Sequence, residues 1–169
     1  NVSEKQPEFY GKYLVKKSEE LKREFGYVIP YGDSPFDNEN VGEEVYFHIL
    51  NHAKKYVHIM TPYLILDNEM LTTLTRTAKS GIEVIIIMPH IPDKKYAFAL
   101  AKTYYEELLE AGVQIYEYTP GFVHAKVFVS DDDTATVGSI NLDYRSLYLL
   151  FECGVFIYRN RVVEGIVRD

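Results

Sequence analysis

Apolar positions along this chain recur at helical spacing and then at strand spacing, and the two patterns alternate. Val41, Val45, Ile49 and Ala53 lie four apart, which predicts a helix over residues 41–54. Tyr56 to Thr61 follows as a strand, ended by Pro62. Asp67 is placed to cap a second helix with apolar positions Met70, Leu71, Leu74 and Ala78, and Gly81 suits the residue just past its end. Five consecutive apolar residues after Glu83 mark a strand covered on both faces, so residues 82–88 read as a central strand. A helix over residues 93–111 carries Ala97, Ala101, Tyr104, Tyr105, Leu108 and Leu109 on one face, with its tyrosines read as core and Gly112 as its stop. Val113 to Tyr118 is the next strand. This order implies right-handed crossovers and a mixed, largely parallel sheet flanked by helices on both faces, an α/β fold.

The flanks follow other rules. Residues 1–26 are rich in Lys and Glu and read as a charged, helical linker from a preceding domain, with the lobe proper at 27–169. Tyr27 to Asn40, with its prolines and aspartates, reads as a loop. Leu149 to Tyr158 reads as a last strand, and the chain then stops with no closing element, as a piece cut from a longer protein would.

Composition narrows the class. The 169 residues are 47% hydrophobic with 15 tyrosines and 9 phenylalanines, which argues for a packed domain. A net charge of -7 disfavours a general nucleic-acid binder, because such binding rests on Lys and Arg neutralising phosphates. Cys153 has no disulfide partner and reads as a small buried residue. No apolar stretch approaches bilayer length, so the piece itself is expected to be soluble.

The chemistry concentrates in one stretch. Val123 to Val129 reads as a strand, and a strand sends residues i and i+2 to one face, so His124 and Lys126 should share a side. Imidazole beside ammonium makes an anion site. Asp131, Asp132 and Asp133 cannot continue a buried strand and form the turn into a second strand, Thr134 to Val137. That hairpin delivers Gly138, Ser139 and Asn141 to the same end. Glycine lets a substrate oxygen approach its backbone, while the Ser139 hydroxyl and Asn141 amide can donate to phosphoryl oxygens. These residues are the kit for covalent phosphoryl transfer. Glu152 is a charge inside an apolar run, so it needs a partner. Elsewhere, His48 and His52 have the spacing of two metal ligands, but Ile49 stands where a zinc protease motif has Glu, and no metal site is expected. His58 reads as a strand residue, and His90, after the central strand, as a loop residue that could line the site.

The pattern His124-x-Lys126, four residues, Asp131, six residues, Gly138-Ser139-x-Asn141 resembles the HKD motif of the phospholipase D superfamily. Its continuation, Asn141-Leu142-Asp143-Tyr144-Arg145-Ser146 and then Phe151-Glu152-Cys153-Gly154, is similar to the C-terminal half of bacterial cardiolipin synthases. The resemblance implies a phospholipase D-like αβα sandwich and transfer of a phosphatidyl group between two phosphatidylglycerols through a phosphohistidine, with no cofactor. It implies catalytic His124 and Lys126, a largely structural Asp131, and a Glu152 that accepts a hydrogen bond from His124. The family's scheme needs two such motifs, and this chain has one. It is therefore expected to work with an N-terminal lobe of the same enzyme, at a membrane to which anchors outside this piece attach it, and to be inactive alone. A homodimeric, metal-independent phosphodiesterase or nuclease, or a non-catalytic partner lobe, remains open.

Overall fold

The structure, a computed structural model, describes residues 25–168. The charged segment read as a linker falls almost wholly outside the described residues. In chain order the elements are β1 (Tyr27–Asp33), α1 (Val41–His52), β2 (Tyr56–Met60), β3 (Leu64–Ile65), α2 (Asn68–Lys79), β4 (Glu83–Pro89), α3 (Lys95–Glu110), β5 (Gln114–Tyr118), β6 (Val127–Ser130), β7 (Thr134–Gly138), β8 (Leu142–Asp143), α4 (Tyr144–Tyr148), β9 (Glu152–Tyr158) and α5 (Val162–Arg168).

A seven-stranded sheet in the order β1-β9-β7-β6-β2-β4-β5 forms the centre. The two βαβ units make β2, β4 and β5 parallel, as expected. The rest is different. The pairs β1/β9, β9/β7, β7/β6 and β6/β2 are antiparallel, so the sheet is mixed but not largely parallel. Only the strands joined through helices can run parallel; the hairpin and the return of β9 reverse the chain.

Helices α1, α2 and α3 cover one face, where Tyr46, Ile49, Leu50, Leu74, Ile86, Leu108 and Phe128 are buried. Tyr46 stacks on Phe128 with ring centroids 4.0 Å apart and donates its hydroxyl to the Ile140 carbonyl at 2.6 Å. On the other face α5 buries Val163 against Val129, Ala135 and Ile157. This closing helix was not expected. Asp67 caps α2 by accepting from the Met70 amide at 2.7 Å, and Gly81 takes a φ of 91° just past the helix end.

The segment expected to be a loop at 27–40 opens instead with β1, an edge strand paired to β9 with Pro30 opposite Val155. Proline is tolerated at an edge because its missing N–H can face away from the ladder. Strands β3 and β8 form a separate two-stranded ribbon, with Leu64 opposite Leu142. It fastens the chain after the motif to the carboxyl end of β2.

Candidate active site

The ladder of β6 begins at Val127, four residues later than the sequence pattern predicts, so His124, Ala125 and Lys126 form an extended approach to the strand. His124 and Lys126 still meet. Lys126 Nζ lies 2.9 Å from His124 Nδ1 and 2.6 Å from the His124 carbonyl oxygen. Lys126 is buried, its own carbonyl accepting from the Gly138 amide at 3.2 Å, while His124 is exposed. Burial pulls the Lys126 ammonium below its usual range, and the carboxylates of Glu152, Asp143 and Asp93 act against that pull.

Gly138 ends β7 beside β9. A Cβ there would sit 2.3 Å from the Cys153 carbonyl oxygen and 2.7 Å from Gly154 Cα. The missing side chain is therefore required by the neighbouring strand, as well as leaving the backbone open at this exposed end of the sheet. Ser139 donates its hydroxyl to the Glu152 carboxylate and accepts from the Cys153 amide at 3.0 Å. Its proton is thus committed to Glu152 rather than free for a phosphoryl oxygen. Asn141 Nδ2 donates to Ser146 Oγ at 2.8 Å, and Asn141 Oδ1 is buried with no hydrogen-bond partner among the described residues. The amide therefore leaves an acceptor unsatisfied, where the sequence suggested a donor.

Glu152 does not take the partner expected for it. Among the described residues its hydrogen bond is with Ser139, and the His124 ring is held by Lys126. A strand position shows that a carboxylate needs a donor, but not which neighbouring strand supplies it.

Asp131 stands at the far end of the hairpin. It accepts from the backbone amides of Lys54, Lys55 and Tyr56 at 2.7, 2.9 and 3.1 Å, clamping the α1–β2 connection. Burial would raise its carboxyl, but those three N–H donors and Lys55 hold it below the usual range. It sits in the left-handed region with a φ of 54°. A cavity of about 440 Å³ lies there, with His48, His52, Asp131 and Arg159 among its walls. His48 and His52 stack 4.1 Å apart, and no cluster of three ligating side chains exists among the described residues. His90 is tied to Glu117 at 2.8 Å. Cys153, expected to be buried, is exposed.

Residues 46–169 match the family described as "Cardiolipin synthase, PLD-like domain". The chain belongs to this family. A cardiolipin synthase of Halalkalibacterium halodurans is 39% identical over 157 residues, 93% of this chain and 31% of that protein. An uncharacterised protein of Streptococcus mutans is 58% identical over 160 residues, 95% of this chain and 34% of that protein. The chain thus spans about a third of the length of these relatives. Among solved structures, Nuc of Salmonella typhimurium, a phospholipase D family member, superimposes with a TM-score of 0.71 at 17% identity, covering 85% of this chain and 91% of that one. The PLD-like sandwich is therefore the fold.

Within this cardiolipin synthase-like domain the structure adds residues that the pattern reading passed over. Tyr148 of α4 points its hydroxyl at both Glu43 oxygens, each at 2.8 Å, and at the carboxylate of Asp67. One phenol proton cannot serve two ionised carboxylates at once, so the arrangement favours uptake of a second proton by this cluster. Burial, together with Asp67, raises the Glu43 carboxyl to about 7. Nothing in the local sequence signals this, because Glu43 looks like an ordinary residue in the first turn of α1.

Proposed function

We propose that this chain is the C-terminal catalytic lobe of a cardiolipin synthase, transferring a phosphatidyl group from one phosphatidylglycerol to another to give cardiolipin and glycerol. The observation that carries the reading is the pairing of an exposed His124 with the buried Lys126 ammonium, 2.9 Å from Nδ1, at an open end of the sheet. An ammonium donating to Nδ1 leaves the remaining ring proton on Nε2. Nε2 is then the nitrogen left to the substrate, and as a general acid the ring works from its imidazolium form, giving the Nε2 proton to the leaving oxygen and returning to the neutral ring.

The nucleophile comes from a second motif in an N-terminal lobe. Its histidine attacks the donor phosphorus, forming a P–N bond and breaking the P–O bond to glycerol, whose oxygen takes the proton from His124. The hydroxyl of the acceptor lipid then attacks the same phosphorus, breaking the P–N bond and returning its proton to His124. Lys126 stabilises the equatorial oxygens without a metal.

Two features support a missing partner. The relatives are about three times as long as this chain. Phe36 and Phe151 form an edge-to-face pair 5.4 Å apart while remaining 82% and 69% exposed, and Leu149 and Leu150 are exposed beside them. No helix among the described residues is long and apolar enough to cross a membrane, so attachment to one would come from the rest of the enzyme.

The test is cardiolipin formation from phosphatidylglycerol vesicles in chelator, comparing the two-lobed protein with its His124→Ala variant. Chelator-resistant synthesis that disappears in the variant supports the reading. Retained synthesis in the variant leaves this lobe a non-catalytic partner, and chelator-resistant activity from a dimer of this chain alone would favour the single-motif phosphodiesterase.

A further inference from the structure

Beside Asn141 a second cavity, of about 200 Å³, opens between α3, the β3/β8 ribbon and α4, lined by Tyr63, Lys94, Asn141, Arg145, Ser146 and Leu150 among others. It is smaller than the roughly 300 Å³ at which pockets for drug-sized ligands begin, so it suits a lipid headgroup rather than acyl chains.

Its polar groups are unevenly satisfied. Tyr63 donates to Asp93 at 2.6 Å, and Ser146 Oγ accepts from Asn141 Nδ2. Asn141 Oδ1 is left buried without a donor among the described residues. A buried carbonyl oxygen in that state is matched by a ligand that brings a hydroxyl. Lys94 and Arg145 add two cations to the same walls, against the one carboxylate of Asp143, which is taken up by the Arg145 and Ser146 amides. The cavity therefore calls for a small group bearing both hydroxyl and negative charge.

The cavity also adjoins the reacting corner. Asp143, which lines it, and Asp93, which accepts from the lining Tyr63, are close enough to Lys126 to act on its charge. A reaction between two phosphatidylglycerols brings two phosphodiesters into one site. The donor's phosphate engages Lys126 at the reacting centre, so the acceptor's phosphate needs cations of its own.

Resting on the function proposed above, we propose that this cavity is the acceptor subsite, holding the glycerophosphate headgroup of the second phosphatidylglycerol. Asn141 Oδ1 accepts from a headgroup hydroxyl, and Lys94 and Arg145 face its phosphate. The subsite sets the choice between lipid and water as acceptor.

The experiment uses the two-lobed enzyme on phosphatidylglycerol vesicles, measuring cardiolipin and phosphatidic acid in the same sample. Lys94→Ala removes a cation from the cavity wall and Lys94→Glu reverses it; Lys94 lies outside the His124 and Lys126 pair. In both variants the ratio of cardiolipin to phosphatidic acid should fall about tenfold, the scale on which a single pocket contact discriminates substrates. An unchanged ratio, or equal loss of both products, in an enzyme whose wild type makes cardiolipin overturns the subsite alone. A wild type that yields only phosphatidic acid overturns the subsite together with the synthase reading.

Discussion

Lys126 Nζ bridges two atoms of one residue, the Nδ1 and the carbonyl oxygen of His124. The cation thereby fixes both the ring's orientation and its tautomer, a task that a carboxylate performs from the other side in many histidine sites. Lys126→Met should free the ring and lower cardiolipin synthesis in the two-lobed enzyme by about 10²-fold or more, as loss of a charged transition-state donor does. Nitrogen NMR of His124 checks the cause. The neutral ring should carry its proton on Nε2 in the wild type and become a mixture of tautomers in the variant.

Gly138→Ala places a methyl group against the backbone of β9, at the Cys153 carbonyl and Gly154 Cα. Backbone cannot swing aside as a side chain can. The two strands must part, and urea denaturation should show a loss of about 1–3 kcal/mol, the usual range for an overpacked site. Because Ser139 accepts from the Cys153 amide across the same gap, activity should fall further than stability explains.

Asp131→Ala strands the amides of Lys54, Lys55 and Tyr56. A lowered thermal midpoint is expected, corresponding to about 1–2 kcal/mol, as for loss of a helix-capping carboxylate. Asp131→Asn, which keeps an acceptor oxygen, should lose less. The folded carboxyl binds its proton more weakly than the unfolded one, so its contribution is present above the ordinary value of 3.8 and lost as pH falls below it. Acid unfolding of the Asn variant should accordingly be shallower.

Glu43 behaves in the opposite sense. Its carboxyl is raised from 4.5 to about 7, so between these values the folded protein holds more protons than the unfolded chain, and stability declines as pH rises through that window. Glu43→Gln should flatten the decline in denaturant midpoints taken between pH 5 and 8. A variant with the wild-type slope would show that the proton of the Glu43, Asp67 and Tyr148 cluster lies elsewhere.

Local rules made much of the fold legible. The Asp67 cap, the glycines at 81 and 112, and the apolar run of β4 each act within a few residues, and each stands where periodicity placed it. The errors arose where a distant strand decides. Nothing inside Tyr27–Asp33 announces that β9 will pair with it, and Pro30 argues against any strand except one at an edge. The motif's expectation that His124 and Lys126 share a side is met at their corner. The motif put Glu152 on His124 and left Ser139 and Asn141 as donors to a phosphate, whereas Glu152 takes Ser139 and Asn141 turns to Ser146, because those partners are set by how α4 and β9 fold back.

The hairpin β6–β7 has a consequence for engineering. The four residues between Lys126 and Asp131 are β6 itself, so the motif's spacing is a strand length: the charged corner is at one end, the clamp on the α1–β2 connection at the other. Inserting one residue in that span would turn every later side chain to the opposite face of the sheet. The signature is thus a ruler as much as a reagent set, and it could be transplanted into another scaffold only with its hairpin, the receiving connection and a glycine-tolerant neighbour carried along.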